Sequence, residues 1–341
     1  MIAIRADGNS EIATGHIMRC LAIASALKEK GHDCIFITAD EDSEKLLSNS
    51  GFKIVNLHSI WNRLDSEISK ITDAVTEYNI DKLIVDTYYV TEEYLRAAED
   101  KCRVYYIDDL NLFRYPVSAV INYNVYARSI PYSEVYADTD TKLFLGPAYA
   151  PLRSEFKDII PSFRREVKRI LITAGGVDTY NAAGLILNRV LADDFFEGIE
   201  FHVAAGRLNH HISELEDIAE RYPSAVIHKN AEKMSELMTG CDAAVTAGGT
   251  TLYELCACGV PSVCFSWADN QLAAVKAFSE SGLMIGAGDI RGDCEGCVLR
   301  IADGLKRYCG DYYLRCSDGR KLKEVADGCG ADRICEMILS G

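Results

Sequence analysis

Short apolar runs alternate with amphipathic stretches along the first half of the chain. The apolar runs predict strands, and they occupy residues 2–6, 33–38, 82–86, 103–107 and 119–122. The amphipathic stretches predict helices, the clearest of which cover residues 15–30 and 41–50, each followed by a glycine. Apolar strands separated by helices are typical of a parallel sheet that is covered on both faces. We therefore predict an α/β domain at the start of the chain.

The same alternation restarts after a proline-rich segment. Residues 146–162 hold three of the seven prolines, and we interpret this segment as a connection between domains. Further strands are predicted at residues 168–174, 200–204, 225–228, 242–246 and 261–265, with helical segments from about Cys297 onward. The pattern predicts two similar open α/β domains in tandem. Ligands of such sheets bind beyond the carboxyl ends of the strands, so a cleft between the domains is the expected site.

The composition is that of an ordinary globular protein with an acidic excess. Of the 341 residues, 48% are hydrophobic and 26% are charged, and 36 basic against 51 acidic side chains give a formal net charge of −15. This balance argues against a broad basic surface for nucleic acid or anionic lipid. The apolar runs are too short to span a bilayer, and residues 1–6 fit a strand better than a signal peptide.

The number and surroundings of the cysteines indicate the redox environment of the protein. There are 13 of them, an odd number spread along the chain, and Cys20, Cys34, Cys256 and Cys264 lie among apolar residues. Such cysteines are typical of small buried side chains in a reducing environment. We therefore expect free thiols and a cytoplasmic protein.

Two short patterns occur in some metal sites, but here neither has the surroundings that it needs. Cys294 and Cys297 form a CxxC pair, yet no second such pair follows and no histidine lies beyond His228. Asp138 and Asp140 form a DxD triplet in a polar stretch before a strand, which we interpret as a solvated loop. We therefore predict no metal site.

The opening of the chain places a histidine at the start of the first predicted helix. Thr14 is in position to cap this helix, so His16 lies in its first turn, at the carboxyl edge of the first strand. The positive end of the helix dipole disfavours an imidazolium ion there, and a neutral histidine can act as a general base near neutral pH. The alternative is a histidine that caps or packs, which is our interpretation of the other six histidines.

A second informative stretch, residues 247–255, joins a strand to a helix through two glycines. Gly248 and Gly249 allow the backbone to approach an anion, and free amides at the following helix start, near Thr250, can donate to phosphate. Glu254 lies about one turn into that helix, where a carboxylate can accept hydrogen bonds from both hydroxyls of a ribose. A purely structural glycine turn is the alternative.

Two further loops of the second domain carry polar groups or glycines between a strand and a helix. Asn270 and Gln271 can hydrogen-bond a sugar or a phosphate, or they can cap the helix that they begin. Gly175 and Gly176 form a similar loop with Asp178, and their spacing differs from that of the GxGxxG dinucleotide motif. Each loop is also explained as a cap or a turn.

Polar residues also follow three strands of the first domain. They are Asp86, Thr87 and Tyr88, then Asp108 and Asp109, and then Asn122, Tyr123 and Asn124. Because the carboxyl ends of parallel strands share one edge of a sheet, we expect these side chains to face one site. The sequence has no Walker A loop, no GxSxG elbow and no HExxH motif, which argues against the enzyme classes that use them.

The order of these motifs resembles a known family. The matching blocks are Arg5-Ala6-Asp7, residues 14–20, 86–88, 108–109, 122–127, 146–153 and 175–178, and the tail at 319–321 and 327–328. Over nearly the whole chain they resemble the nucleotide-sugar hydrolase of pseudaminic acid biosynthesis, which removes UDP from UDP-2,4-diacetamido-2,4,6-trideoxy-β-L-altropyranose. The second half is also similar to the UDP-binding domain of the peptidoglycan transferase that adds GlcNAc to lipid I.

The resemblance implies the glycosyltransferase-B fold, with two Rossmann-like domains. It implies a first domain over residues 1–150 that binds the sugar and carries the base, and a second domain over residues 151–341 that binds UDP. In this division, the final helix can cross back and pack on the first domain. The expected partners are a UDP-sugar and water, with no cofactor, no nucleic acid and no membrane span, and the protein is expected to be a monomer.

The resemblance also assigns roles to residues. His16 is implied to be the general base for an inverting attack of water at the anomeric carbon, Tyr88 to place the water, and Asn270 to be a third catalytic residue. The implied substrate contacts are Asp7, Gly15, Arg19, Gly175, Gly176, Gly248, Gly249, Thr250, Glu254 and Gln271. UDP is a stable leaving group, so one base, backbone amides and a helix dipole can suffice without a metal ion.

Three other functions are compatible with the same residues. One is a UDP-sugar-dependent glycosyltransferase of the same fold, which shares the glycine loop. Another is a hydrolase of a related UDP-diacetamido sugar. The third is a non-catalytic nucleotide-sugar binding protein, against which His16 argues, because binding needs no base.

Overall fold

A computed structural model describes residues 1–9, 11–206 and 208–340 of the protein. The chain divides into two compact units. Unit 1 comprises Met1–Ser154 and the C-terminal segment from Cys329, and unit 2 comprises Glu155–Gly328. The break between the units lies inside the proline-rich segment 146–162.

Within the described residues, unit 1 is built on a seven-stranded parallel sheet. Its strands are β1 (Ile2–Ala6), β2 (Cys34–Thr38), β3 (Lys53–Asn56), β4 (Lys82–Asp86), β5 (Arg103–Ile107), β6 (Ala119–Asn122) and β7 (Lys142–Leu145). They lie in the order β3-β2-β1-β4-β5-β6-β7. β2 and β3 are added on one side of β1 and β4 to β7 on the other, so the switch point of the sheet lies between β1 and β4. The connecting helices are α1 (Gly15–Glu29), α2 (Glu41–Leu47), α3 (Ile68–Glu77), α4 (Glu92–Glu99) and α5 (Tyr132–Val135).

Both faces of the central strands in unit 1 are buried. On one face, Leu83 and Val85 of β4 pack with Ile71 of α3 and Tyr94 of α4. Ile84, between them in sequence, points to the opposite face and is also fully buried. This two-sided burial explains why the strands are continuous apolar runs without polar alternation.

Unit 2 repeats the design with a six-stranded parallel sheet in the described part of the chain. Its strands are β8 (Arg169–Thr173), β9 (Glu200–Ala205), β10 (Ala225–Lys229), β11 (Ala243–Ala247), β12 (Ser262–Ser266) and β13 (Ile285–Asp289), in the order β10-β9-β8-β11-β12-β13. The helices are α6 (Ala182–Leu191), α7 (Ile212–Arg221), α8 (Met234–Thr239), α9 (Thr251–Cys258), α10 (Asp269–Glu280), α11 (Cys294–Gly310) and α12 (Tyr312–Val325). The last helix, α13 (Gly330–Ser340), belongs to unit 1, where it packs against α1.

Three strands for which the sequence pattern gave no range, β3, β7 and β13, lie at edges of the sheets. β3 is only partly buried, so its residues lack the apolar run that marks a central strand. β13 contains Gly286 and Gly288, and its register with β12 shifts between Cys264 and Phe265. A glycine-rich, bulged edge strand carries little of the usual sequence signal.

All thirteen cysteines are free thiols, and the four expected to be buried are buried. Burial raises the pKa of the Cys34 thiol and of the Cys264 thiol to about 12. These cysteines therefore pack as small hydrophobic side chains.

Metal-ligand clusters and membrane-spanning helices are both absent from the described residues. Within residues 1–9, 11–206 and 208–340, no three His, Cys, Asp or Glu side chains are grouped as metal ligands would be. The helices in the same ranges include none with the length and apolar character needed to cross a bilayer.

Candidate active site

His16 lies where the sequence predicts it, in the first turn of α1 at the carboxyl edge of the unit 1 sheet. β1 ends at Ala6 and α1 begins at Gly15, with Thr14 in the N-cap position. Thr14 makes no capping hydrogen bond through its side chain, so it occupies the predicted position without the predicted contact. His16 is buried, whereas Gly15 is exposed at the helix start.

Strand order brings a carboxylate to this histidine. β4 is the neighbour of β1, and their register places Asp86 opposite Ala6. Asp86 therefore ends its strand beside the first turn of α1, where it is fully buried. Its Oδ1 lies 2.6 Å from Nδ1 of His16.

This contact defines which nitrogen of His16 is basic. Burial by itself would raise the pKa of the Asp86 carboxyl, but the charges and hydrogen bonds of Arg19 and His16 lower it well below its usual range. Two lone pairs would repel each other at 2.6 Å, so we assign the proton of the imidazole to Nδ1, which donates to Asp86. Nε2 then carries the lone pair, and it has no hydrogen-bond partner in the described part of the chain.

Arg19 holds the other side of Asp86. Its Nε donates to Oδ2 of Asp86 at 2.6 Å, and its Nη2 donates to Oδ1. Its Nη1 donates to Oδ2 of Asp109 at 2.8 Å and to the Tyr123 hydroxyl at 2.6 Å. The guanidinium therefore joins a carboxylate at the end of β4 to one that follows β5.

Asp109 links this network to Tyr88. The Tyr88 hydroxyl donates to Oδ2 of Asp109 over 3.4 Å, and the Asn124 amide donates to Oδ1 at 2.9 Å. The Tyr88 ring also lies edge-on to the imidazole of His16, with centroids 4.5 Å apart. The polar residues that follow β4, β5 and β6 thus gather at one edge of the sheet, as the sequence predicts.

Asp7 is held by the protein itself. Its Oδ1 accepts from the Ala39 amide at 2.8 Å, and its Oδ2 accepts from Nη1 of the buried Arg5. Arg5 also pairs with the buried carboxylate of Glu67, through Nε at 2.8 Å. These contacts give Asp7 a role in fixing the loop after β1, and its assignment to substrate binding stays a prediction.

In unit 2, the glycine loop sits between β11 and α9. A Cβ on Gly248 would lie 2.6 Å from Cγ2 of Val275, so close packing against α10 requires glycine there. Nothing lies within 4 Å of the corresponding position on Gly249, which is exposed. Packing therefore explains Gly248, whereas Gly249 has open space around it, as a backbone that binds an anion requires.

The start of α9 has the free amides that an anion needs. Within the described residues, the backbone amides of Thr250 and Thr251 have no hydrogen-bond acceptor. Glu254 follows one turn later, is partly buried, and donates its own amide to the Thr250 carbonyl at 3.3 Å. Because side chains on a helix tilt toward its N-terminus, we expect the Glu254 carboxylate to lie toward the same end of α9.

The loop after β8 combines a glycine at positive φ with a helix cap. Gly175 has φ of 87°, a conformation that side chains rarely adopt, and Gly176 follows it. Asp178 is buried and accepts from the amides of Ala182 at 2.7 Å and Ala183 at 3.1 Å. Asp178 therefore caps α6, which is the alternative that the sequence left open.

The loop before α10 behaves similarly. Gln271 is buried, and its Oε1 accepts from the Trp267 amide at 3.0 Å, which is again a capping contact. Asn270 is exposed as the second residue of α10. The Trp267 indole donates to the Ala174 carbonyl at 2.9 Å, so the loops after β8 and β12 are joined. The loops of unit 2 predicted to bind substrate therefore share one edge of its sheet.

The predicted residues fall into two sets by unit. His16 and Tyr88 belong to unit 1, whereas Asn270 and the glycine loops belong to unit 2. Sequence reasoning placed Asp86, Asp109 and Asn124 at strand ends but gave them no function. Their roles follow from which strands are neighbours, a fact that the sequence pattern does not contain.

Comparison with known proteins supports the fold and gives distant relatives. No protein-family model matches the chain. It is 29% identical over 275 residues to the uncharacterized protein MJ1062 of Methanocaldococcus jannaschii, covering 77% of this chain and 54% of that protein. It is 24% identical over 347 residues to the spore coat polysaccharide biosynthesis protein SpsG of Bacillus subtilis, covering 99% and 97%. It is 21% identical over 255 residues to the UDP-2,4-diacetamido-2,4,6-trideoxy-β-L-altropyranose hydrolase of Campylobacter jejuni, covering 74% and 86%.

Solved structures confirm the fold class. MurG of Acinetobacter baumannii matches with a TM-score of 0.71 and 14% identity, over 100% of this chain and 99% of that one. The co-structure of Staphylococcus aureus MnaA with UDP matches with a TM-score of 0.68 and 13% identity, over 99% and 95%. The protein therefore has the glycosyltransferase-B fold, with two Rossmann-like domains, as predicted.

Proposed function

We propose that this protein is a nucleotide-sugar hydrolase that releases UDP from UDP-2,4-diacetamido-2,4,6-trideoxy-β-L-altropyranose. The observation that carries the proposal is the His16–Asp86 pair, in which Nδ1 donates to a buried carboxylate and Nε2 is left as a base. Similarity to the hydrolase of Campylobacter jejuni supports the choice of reaction and substrate.

In the proposed reaction, Nε2 of His16 takes a proton from a water molecule as the water oxygen attacks the anomeric carbon. The bond between that carbon and the UDP oxygen breaks, and its electron pair leaves with UDP. The configuration at the anomeric carbon is inverted. The imidazolium formed on His16 is stabilised by the Asp86 carboxylate, which keeps the ring oriented throughout.

Tyr88 and Asn270 are proposed to assist. Tyr88 is the aromatic neighbour of His16, and its hydroxyl is held by Asp109, so it is suited to place the attacking water. Asn270, exposed at the start of α10, offers an uncharged side chain to the substrate. Neither group needs to change its charge during the reaction.

The UDP moiety is assigned to unit 2. The amides at the start of α9 and the Gly248-Gly249-Thr250 turn suit a diphosphate, and Glu254 on the same end of α9 suits the two ribose hydroxyls. Backbone amides and the helix dipole can stabilise the charge that develops on the departing UDP, so the proposal requires no metal ion or cofactor.

The division of labour follows the two domains predicted from the sequence. Residues 1–150 are proposed to bind the sugar and supply the base, and residues 151–341, apart from the last helix, to bind UDP. One chain supplies every proposed group, so the protein is proposed to act as a monomer, in the cytoplasm.

The proposal is tested by incubating the protein with a panel of UDP-diacetamido sugars in buffer, with no acceptor present, and measuring UDP. Release of UDP from the altropyranose substrate, and its loss in His16→Asn, is the expected result. Preference for another sugar of the panel would identify a related hydrolase. Binding without turnover would identify a carrier of the nucleotide sugar.

A UDP-sugar-dependent glycosyltransferase is the second candidate. It is favoured by the similarity in fold to MurG, which extends over the whole chain. The two candidates differ in one measurement, because a transferase releases UDP at an appreciable rate only when its acceptor is present.

A further inference from the structure

The geometry points to Arg19 as a positioning residue that balances the charges around the His16–Asp86 pair, in place of the substrate contact expected from the sequence. This inference rests on the proposed function, since it concerns the base of that reaction. A measurement that needs no turnover tests it.

The donors of Arg19 are all directed at protein groups. A guanidinium has five N–H donors. Four of them bond to Asp86 twice, to Asp109 and to Tyr123, and the second hydrogen on Nη2 faces Nδ1 of His16 at 3.1 Å. The side chain is 4% exposed. Four of the five donors of Arg19 are therefore bonded to protein groups, and the fifth is directed at the buried imidazole of His16.

Helical spacing explains why these groups meet. Arg19 and Cys20 follow His16 by three and four residues, so the three side chains share one face of α1. All three contact Asp86, with the Cys20 thiol 3.4 Å from Oδ2. One face of a single helix therefore supplies the imidazole, the cation and the thiol that surround one buried carboxylate.

The balance of charge around His16 depends on Arg19. A buried carboxylate with no cation beside it favours the imidazolium form of a neighbouring histidine, and an imidazolium cannot accept a proton from water. Arg19 offsets the charge of Asp86, whose Oδ1 accepts from Nη2 of Arg19 and from Nδ1 of His16. Asp109 acts in the opposite sense, because it offsets part of the charge of Arg19.

The charged and titratable groups around His16 come from four elements. Arg19 and Cys20 lie on α1, and Asp86 lies at the end of β4 with Tyr88 just after it. Asp109 follows β5 and acts through Arg19, as does Tyr123 after β6. The direction in which replacing each of these groups should shift the titration of His16 therefore follows from its charge.

The test that needs no substrate is the NMR titration of His16 in protein labelled with 15N-histidine. The His16 signals are identified by their absence from His16→Asn. At neutral pH, wild-type His16 is expected to show the tautomer protonated on Nδ1. Arg19→Gln removes the cation, so the midpoint of the His16 titration should move to higher pH.

Two further variants are expected to shift the midpoint of the His16 titration in the opposite direction and to leave it unchanged, respectively. Asp109→Asn leaves Arg19 less neutralised, so the midpoint should move to lower pH. Cys20→Ala removes an uncharged neighbour of Asp86 and should leave the midpoint in place. If Arg19→Gln and Asp109→Asn leave the midpoint unchanged, or move it in the same direction, the balancing role of Arg19 is refuted. Asp109 is partly exposed, so its variant carries the test even if Arg19→Gln fails to fold.

Arg19→Lys separates positioning from substrate contact. Lysine keeps the charge but cannot bond both oxygens of Asp86 while also reaching Asp109. We expect kcat to fall by 10-fold or more with KM for the UDP-sugar unchanged, and the acid limb of the kcat profile to stay near its wild-type position. An increase in KM with unchanged kcat would show that Arg19 contacts the substrate and would overturn the inference. If no UDP-sugar is hydrolysed while the NMR shifts follow the predicted signs, the proposed function fails and the charge balance stands.

Discussion

Tyr88 and His16 are edge-to-face neighbours, with their ring centroids 4.5 Å apart and their planes at 74°. The tyrosine fixes the imidazole from one side, while Asp86 holds its Nδ1 from another. A ring held in this way presents Nε2 in one direction, so little reorganisation is needed before a proton is transferred. This arrangement supports the proposal that His16 acts as a base.

Replacing His16 by asparagine should separate binding from turnover. If Nε2 is the base, His16→Asn should bind the UDP-sugar as the wild type does and lose turnover by about 10²–10⁴-fold. The wild-type rate should fall on the acid side as Nε2 becomes protonated, and this limb should vanish in the variant. Initial rates of UDP release across the pH range measure both effects.

His32→Asn is the matched control, because His32 is exposed before β2. It should retain the wild-type rate and pH profile. A His16→Asn enzyme that turns over at nearly the wild-type rate would remove His16 from the mechanism.

Glu254 is predicted to bind the ribose. Glu254→Ala should weaken UDP binding by about 1.5–3 kcal/mol, which is the range for hydrogen bonds to a charged group. Calorimetric titration with UDP measures the change. Glu220→Ala, at an exposed position on α7, should bind UDP as the wild type does. Equal UDP affinity in Glu254→Ala and in the wild type would exclude Glu254 from the ribose site.

Turnover is predicted to survive the removal of divalent metal ions. The amides at the start of α9 are proposed to hold the diphosphate, and Asp138 of the DxD triplet is exposed and paired with Arg114 at 2.9 Å. Rates of UDP release in excess EDTA should therefore equal those in magnesium. A loss that magnesium or manganese restores would instead return Asp138 and Asp140 to consideration.

A pair of histidines in unit 2 predicts a dependence of stability on pH. Nδ1 of His202 lies 2.9 Å from Nε2 of His228, and burial, followed by the charge of His202, lowers the pKa of His228 from its ordinary value of 6.5. Since the folded state then binds fewer protons than the unfolded state, the free energy of unfolding should fall as the pH drops below about 6.5.

Thermal unfolding between pH 7.5 and 5.5 checks this prediction. The Tm of His228→Gln should decline less over that interval than the Tm of the wild type, because the variant lacks the group with the lowered pKa. His32→Gln should follow the wild type. Parallel declines in wild type and His228→Gln would place the pH sensitivity in other groups.

The sequence predicts the elements of this fold well where they are buried on both faces. β1, β4, β5 and β6 begin and end where their apolar runs do, and the first turn of α1 lies where Thr14 and His16 place it. Edge strands such as β3 escaped prediction because partial burial relaxes the pattern.

The site was harder to predict, because its contacts join residues that are distant in sequence. The Asp86 partner of His16 is 70 residues away, and it becomes a neighbour only because β4 lies beside β1. Arg19 and Gln271 carry side chains that suit a ligand, and in the structure both bond to protein groups, while their assignment to substrate binding stays a prediction. Residue type alone cannot distinguish these uses, because the same hydrogen-bond donors serve both.

The central claim is that water attacks the anomeric carbon and that UDP leaves intact. It is tested most directly by carrying out the reaction on UDP-2,4-diacetamido-2,4,6-trideoxy-β-L-altropyranose in oxygen-18 water, with no acceptor, and analysing both products by mass spectrometry. The account predicts one oxygen-18 atom in the released sugar and none in UDP. Label in UDP would place the attack on phosphorus, and no release of UDP without an acceptor would show that the protein is not a hydrolase.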